Sequence, residues 1–171
     1  MNSLQIDTNG FYGNIKYIFL TVSTGLYLNG QEFVPRNGGE NRPVVNVTWE
    51  GATHFCRWMG GRLPTEWEWY WAADTTYKYS GSNSARTVAW FSANSNGHSY
   101  PVGLKAANDY ELYDMSGNVA EWCHNWYDST SKVYKGGHWN SKLYNLTLRR
   151  RFHHPPDRAG NYLGFRVAIP R

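Results

Sequence analysis

Apolar residues recur along this chain in short bursts whose spacing changes several times. Over residues 11–34 small apolar groups are separated by Gly13, Gly25 and Gly30, which predicts short strands and turns. The run Pro43-Val44-Val45-Asn46-Val47 reads as a strand. Thr48 then stands as a helix N-cap, and Ala52, Phe55, Cys56 and Met59 fall on one face at helical spacing. Gly60-Gly61 supplies the left-handed C-cap. A second helix starts at Thr65, where Pro64 precedes a Thr65-x-x-Glu68 capping box. Trp67, Trp69, Tyr70 and Trp71 make it apolar nearly all round, so it is expected to be largely buried.

Over residues 75–110 the periodicity vanishes and Gly, Ser and Asn are dense, a long irregular stretch of the kind that often carries function. Short apolar runs return at 119–123, 132–135 and 163–169. Two helices early and short strands late, without βαβ alternation, predict an α+β fold with an antiparallel sheet. A chain of 171 residues makes one domain, and neither a repeat nor a linker divides it.

Composition sharpens this picture. Aromatics are 17% of residues, nine of them Trp, while charged residues are 18% and there are 17 glycines. That is a compact, loop-rich chain with much rigid contact surface, not a disordered one. The formal charge of +4 is uneven: from Ser131 onward there are nine Lys/Arg against the single acid Asp157. A basic end could attract a polyanion, but its arginines sit among apolar residues and match no nucleic-acid reader motif, so nucleic acid is not an expected partner. Cys56 and Cys123 fit neither a zinc spacing nor a CxxC pair and read as small buried residues. The start MNSLQIDTNG has no basic n-region, and the apolar run 17–22 is too short to span a bilayer. Neither a signal peptide nor a membrane span is expected, and localisation stays open.

Four segments are more specific: VNVTWEGATHFCRWMGGRLPTEWEW, LYDMSGNVAEWCHNWYD, KGGHWN and NYLGFRVA, in that order. Together they resemble the formylglycine-generating enzyme (sulfatase-modifying factor) family, which implies a C-type-lectin-like fold over most of the chain. In catalytic members a cysteine pair follows the Gly-Gly element and carries the copper-dependent oxidation. Here that stretch reads Gly136-Gly137-His138-Trp139-Asn140-Ser141-Lys142-Leu143-Tyr144-Asn145, without a thiol. A thiolate is both the soft-metal ligand and the redox centre, and no neighbour replaces it. The chain is therefore not expected to be an enzyme. The competing reading is a family oxidoreductase using His138, His153 or Glu121 in unrecognised metal chemistry, and His138, His153 and His154 are the candidate metal-site histidines. A Ser141–His138 nucleophile–base pair is a weaker signal still. The resemblance also carries a calcium site onto Asp114 and Glu121 side chains with Gly117 and Val119 carbonyls; otherwise Asp114 caps the turn and Glu121 pairs with a basic residue. No cofactor is required.

A second branch of this scaffold fits the chain's end better. GGHWNSKLYNLTLRRRFHHPPDRAGNYLGFR resembles the final segment of the variable proteins of diversity-generating retroelements, which lack the catalytic cysteines. That resemblance implies a variable ligand-binding region over residues 136–166, altered at adenines in Asn-like codons. Such codons reach Asn, Ser, Tyr, Phe, His, Pro, Arg and Gly but never Trp, Met, Gln, Lys or Glu. The candidate positions are His138, Asn140, Ser141, Tyr144, Phe152, His153, His154, Pro155, Arg158, Gly160, Asn161 and Tyr162, all within the permitted set. Trp139, Leu143, Leu146, Leu148, Leu163 and Phe165 are expected to hold the core while those twelve point outward, as in antibody paratopes. The expected partner is a protein or glycan on a target cell surface, in viral, phage or microbial-surface use.

Overall fold

The computed structural model describes residues 41–169, Gly39 and the backbone of four short strands before them. Those strands form two antiparallel hairpins, β1 (Phe11–Tyr12) with β2 (Ile15–Lys16) and β3 (Leu26–Asn29) with β4 (Glu32–Pro35). Gly13, Gly25, Gly30 and the run 17–22 lie outside the described residues.

Helix α1 (Trp49–Trp58) begins where the cap predicts: Thr48 Oγ1 accepts the Gly51 N–H at 3.1 Å. Its buried face is narrower than the spacing suggests. Ala52 and Cys56 are wholly buried, whereas Phe55 and Met59 are exposed, and Phe55 packs edge-on against Phe165 at 5.5 Å. The preceding run 43–47 forms no strand. Asn46 takes a left-handed φ of 59° and gives its N–H to Gly160 O, so the C-terminal segment helps to hold the run.

Helix α2 (Glu66–Ala72) carries the expected capping box between Thr65 and Glu68. Arg62 grips the same Glu68 with two 2.6 Å hydrogen bonds, and mainly for that reason the carboxyl is held down to about 2. The expectation that α2 is largely buried does not hold. Only Trp69 is inside; Trp67 and Trp71 are 68% and 62% exposed. A single layer covers the helix, so its far side faces solvent whatever its residue types. Within the irregular stretch 75–110 lies one short helix, α3 (Ala85–Val88), and buried Asn108 pins the loop by donating to Ala72 O at 2.7 Å.

The main sheet is built from β5 (Ala120–Trp126), β6 (Lys132–Lys135), β7 (Phe152–His154) and β8 (Leu163–Gly164), in the order β7-β6-β5-β8. β6 runs antiparallel to both β5 and β7, and the two-residue β8 lies parallel to β5. The expected strand over 163–169 stops at Gly164, after which only Ala168 bridges back to Arg62. Gly164 passes so close to the Val44 carbonyl oxygen that a Cβ there would strike it. The sheet has buried side chains on both faces. Trp122 joins Tyr134, Ala52, Cys56 and Leu63 on one side, and Cys123 joins Trp69, Met115, Val133 and Leu148 on the other. Three indole N–H groups anchor the core to carbonyls or a carboxylate, as partly or fully buried indoles require: Trp49 to Cys123 O, Trp122 to Val47 O and Trp69 to Glu121.

Candidate functional site

The site grows from the end of β6. Gly136 and Gly137 both have left-handed φ, and a Cβ on Gly137 would sit 2.9 Å from Asn145 O, so the chain folds back tightly here. Residues 138–141 close a turn in which Ser141 N–H donates to His138 O and Ser141 Oγ accepts the His138 N–H at 3.0 Å. A 3-10 turn follows at Leu143–Leu146. Leu146 and Leu148 are buried, so they do hold the core as expected, and Leu163 is buried with them. Leu143 is 49% exposed and does not; Trp139 and Phe165 are half-buried.

Strand β7 then splits three neighbouring candidates by the two-residue period of a strand. Phe152 and His154 lie on one face, each 5.3 Å from the Tyr134 ring. His154 Nε2 meets the Tyr162 hydroxyl at 2.8 Å, and Tyr162 lies 4.6 Å from His138. Phe152, His154, Tyr162 and His138 thus form one aromatic and imidazole layer over Tyr134. His153 faces the other way and stacks on Tyr127 at 4.1 Å, with the Arg151 guanidinium 4.9 Å from the same ring. The three histidines therefore do not converge. Among the described residues no group of three or more His, Cys, Asp or Glu side chains is arranged to hold a metal.

Burial sets the layer's charge state. It pushes the His138 imidazole down to about 4 and lowers His154, where Arg158 and His153 add repulsion. It raises the Tyr162 and Tyr134 phenols, the latter to about 12. The layer is neutral at pH 7, offering ring faces and mixed hydrogen-bond donors and acceptors. Asn140, Tyr144, Pro155, Arg158 and Asn161 are exposed, as is His153 on the opposite face of β7. His138, Phe152, His154, Gly160 and Tyr162 are half-buried. Ser141 departs from the outward-facing expectation: it is 4% exposed, and its hydroxyl braces the turn.

At the residues named for calcium the two carboxylates have different partners. Arg166 takes both Glu121 oxygens at 2.6 Å, and Trp69 shares one of them. Asp114 accepts the Gly103 N–H at 2.8 Å, and burial raises its carboxyl. Glu121 thus pairs with a basic residue, whereas Asp114 braces the distant Gly103 instead of capping its own turn. Cys56 and Cys123 are free and buried, and burial pushes both thiols up, Cys56 to about 11. Neither presents a thiolate.

The residue pattern did not point to the buried lysines. Lys132 Nζ lies 3.8 Å from the Trp49 ring centre and 3.7 Å from that of Trp126, and burial lowers its pKa. Lys135 is 2% exposed and donates to Arg150 O at 3.0 Å. The one available signal was a lysine at each end of a strand that is otherwise apolar.

Known proteins share this scaffold. The sulfatase-modifying factor enzyme 1-like domain matches residues 25–171. A serine/threonine-protein kinase of Chlamydia caviae is 35% identical over 155 residues, covering 77% of this chain and 24% of its own. An inactive C-alpha-formylglycine-generating enzyme 2 of Bos taurus is 35% identical over 149 residues, covering 74% and 50%. The chain thus spans between about a quarter and half the length of these curated relatives. Among solved structures, variable protein 1 of Treponema denticola superposes with a TM-score of 0.73 at 27% identity, covering 75% of this chain and 71% of that one.

Proposed function

This chain belongs to the sulfatase-modifying factor enzyme 1-like family, and from that premise we propose that it is a non-catalytic binding protein. Its ligand surface is the rim of exposed residues around the Phe152–His154–Tyr162–His138 layer. The observation that carries this reading is the segment after Gly136-Gly137. It holds no thiol, places buried Ser141 and Leu146 inside, and turns a neutral aromatic and imidazole layer toward a polar rim. Copper-dependent oxidation needs a thiolate there, whereas adaptable recognition needs rigid rings beside hydrogen-bonding side chains. The likeness to a protein itself called variable supports diversification of this surface by a retroelement, and a protein or glycan on a target cell is the partner such a surface suits. The protein requires no metal for this role.

Sequencing the gene across a population tests the reading. Substitutions are expected to cluster at the candidate positions, beside a reverse transcriptase gene and a near-copy of the segment encoding residues 136–166. An even spread of changes along the gene overturns diversification. Conversion of a cysteine in a sulfatase-derived peptide by the purified protein overturns the non-catalytic role.

A further inference from the structure

Behind α2, on ground that none of the twelve candidate positions occupies, lies a half-open cavity of about 580 Å3. Glu66, Trp67, Tyr70, Lys135, Arg149 and Arg151 line it. Three cations face one carboxylate, which leaves two positive charges in excess. Glu66 already serves two of the cations, at 2.6 Å from Arg151 Nε and 3.6 Å from Lys135 Nζ. Lys135 cannot swing out to solvent, because its side chain is 2% exposed and Nζ is tied to Arg150 O. Arg149 is exposed, and among the described residues it makes no hydrogen bond or ion pair. One wall is aromatic: the exposed Trp67 indole stands nearly perpendicular to Tyr70, their centres 5.9 Å apart.

We propose that this cavity binds a small ligand joining one carboxylate or sulfate to a pyranose ring with an apolar C–H face, the chemistry of an acidic sugar residue. Arg149 and the outer nitrogens of Arg151 present planar forks suited to a two-oxygen anion. The fixed Lys135 charge adds an attractive field in a partly enclosed site. Trp67 offers a flat face to the ring. The cavity has the volume of a small-ligand site, where an extended peptide would find one uncovered ring and little groove to follow. This inference goes beyond the binding layer described above and stands on different residues.

Calorimetry and the indole N–H resonances of the whole chain test it, with glucuronic acid, glucose, a hyaluronan tetrasaccharide and tetra-aspartate as probes. Glucuronic acid is expected to bind and to shift the Trp67 resonance, identified by its loss in Trp67→Phe, while glucose does not. Arg149→Gln, a change at an exposed side chain, is expected to weaken glucuronic acid about tenfold, the scale of one lost charge-assisted contact. Asn161→Ala, on the rim of the other surface, leaves that affinity unchanged, so the two readings fail separately. Tighter binding of the tetrasaccharide assigns the acid to a glycan chain, and equal binding assigns it to the free sugar; both support the proposal. Equal binding of glucose, an unchanged affinity in Arg149→Gln, or a preference for tetra-aspartate overturns it.

Discussion

Arg166 and Glu121 meet in a two-pronged ion pair, Nε to Oε2 and Nη2 to Oε1, both at 2.6 Å. Glu121 lies on β5 and Arg166 two residues beyond β8, so the pair clasps the end of the binding segment to the sheet. Its carboxylate is almost wholly buried. Arg166→Ala is expected to cost about 3 kcal/mol by urea unfolding, because it strands that charge, whereas replacing both partners with leucine restores part of the loss.

The same geometry makes a prediction about calcium. With Arg166 on both Glu121 oxygens, millimolar calcium leaves the Tm of the wild type unchanged. A rise in Tm that chelation reverses would show that the ion displaces the guanidinium.

His138 makes stability depend on pH in a definite direction. Its imidazole titrates at about 4 in the fold against 6.5 ordinarily, and its Nδ1 accepts the Asn140 N–H at 3.2 Å, which requires the neutral ring. Between those values the unfolded chain binds the extra proton, so the contribution is whole above pH 6.5 and is lost as pH falls toward 4. The loss is of the order of 2 kcal/mol. Urea midpoints at pH 7 and pH 4.5 should differ less in His138→Gln than in the wild type; an equal difference would place the titration elsewhere.

Both cysteines should resist modification. Cys56 and Cys123 are buried with raised pKa values, so a thiol reagent at pH 8 is expected to react with neither in the folded protein and with both after unfolding. Rapid labelling of the native protein would contradict the buried scaffold role.

The candidate positions should sort by burial. Asn140→Ala, Arg158→Ala and Asn161→Ala are expected to change stability by less than about 0.5 kcal/mol, as open surface sites do. Ser141→Ala should cost about 1 kcal/mol, since it leaves the His138 N–H without its acceptor. Gly160→Ala should also destabilise, because a Cβ would press to 2.7 Å from the Tyr162 ring. A thermal-shift panel separates these classes, and a uniform response across them would remove the distinction between rim and support.

Local rules alone determined much of this protein. The Thr48 and Thr65 caps, the Gly136-Gly137 turn and the missing thiols need only nearby residues, so they could be read from the chain. Family motifs carried the α+β architecture with them. Tertiary structure decided what depends on who packs against whom. It left Trp67 and Trp71 in solvent because one layer covers α2, and it tied the run 43–47 to Gly160 where Asn46 turns left-handed. It also set His153 against Tyr127 while His154 joined Tyr162, and it placed Arg149 and Arg151 beside Trp67 across a cavity. Periodicity tells which residues share a face; only the neighbouring elements settle whether that face meets protein, a ligand or water.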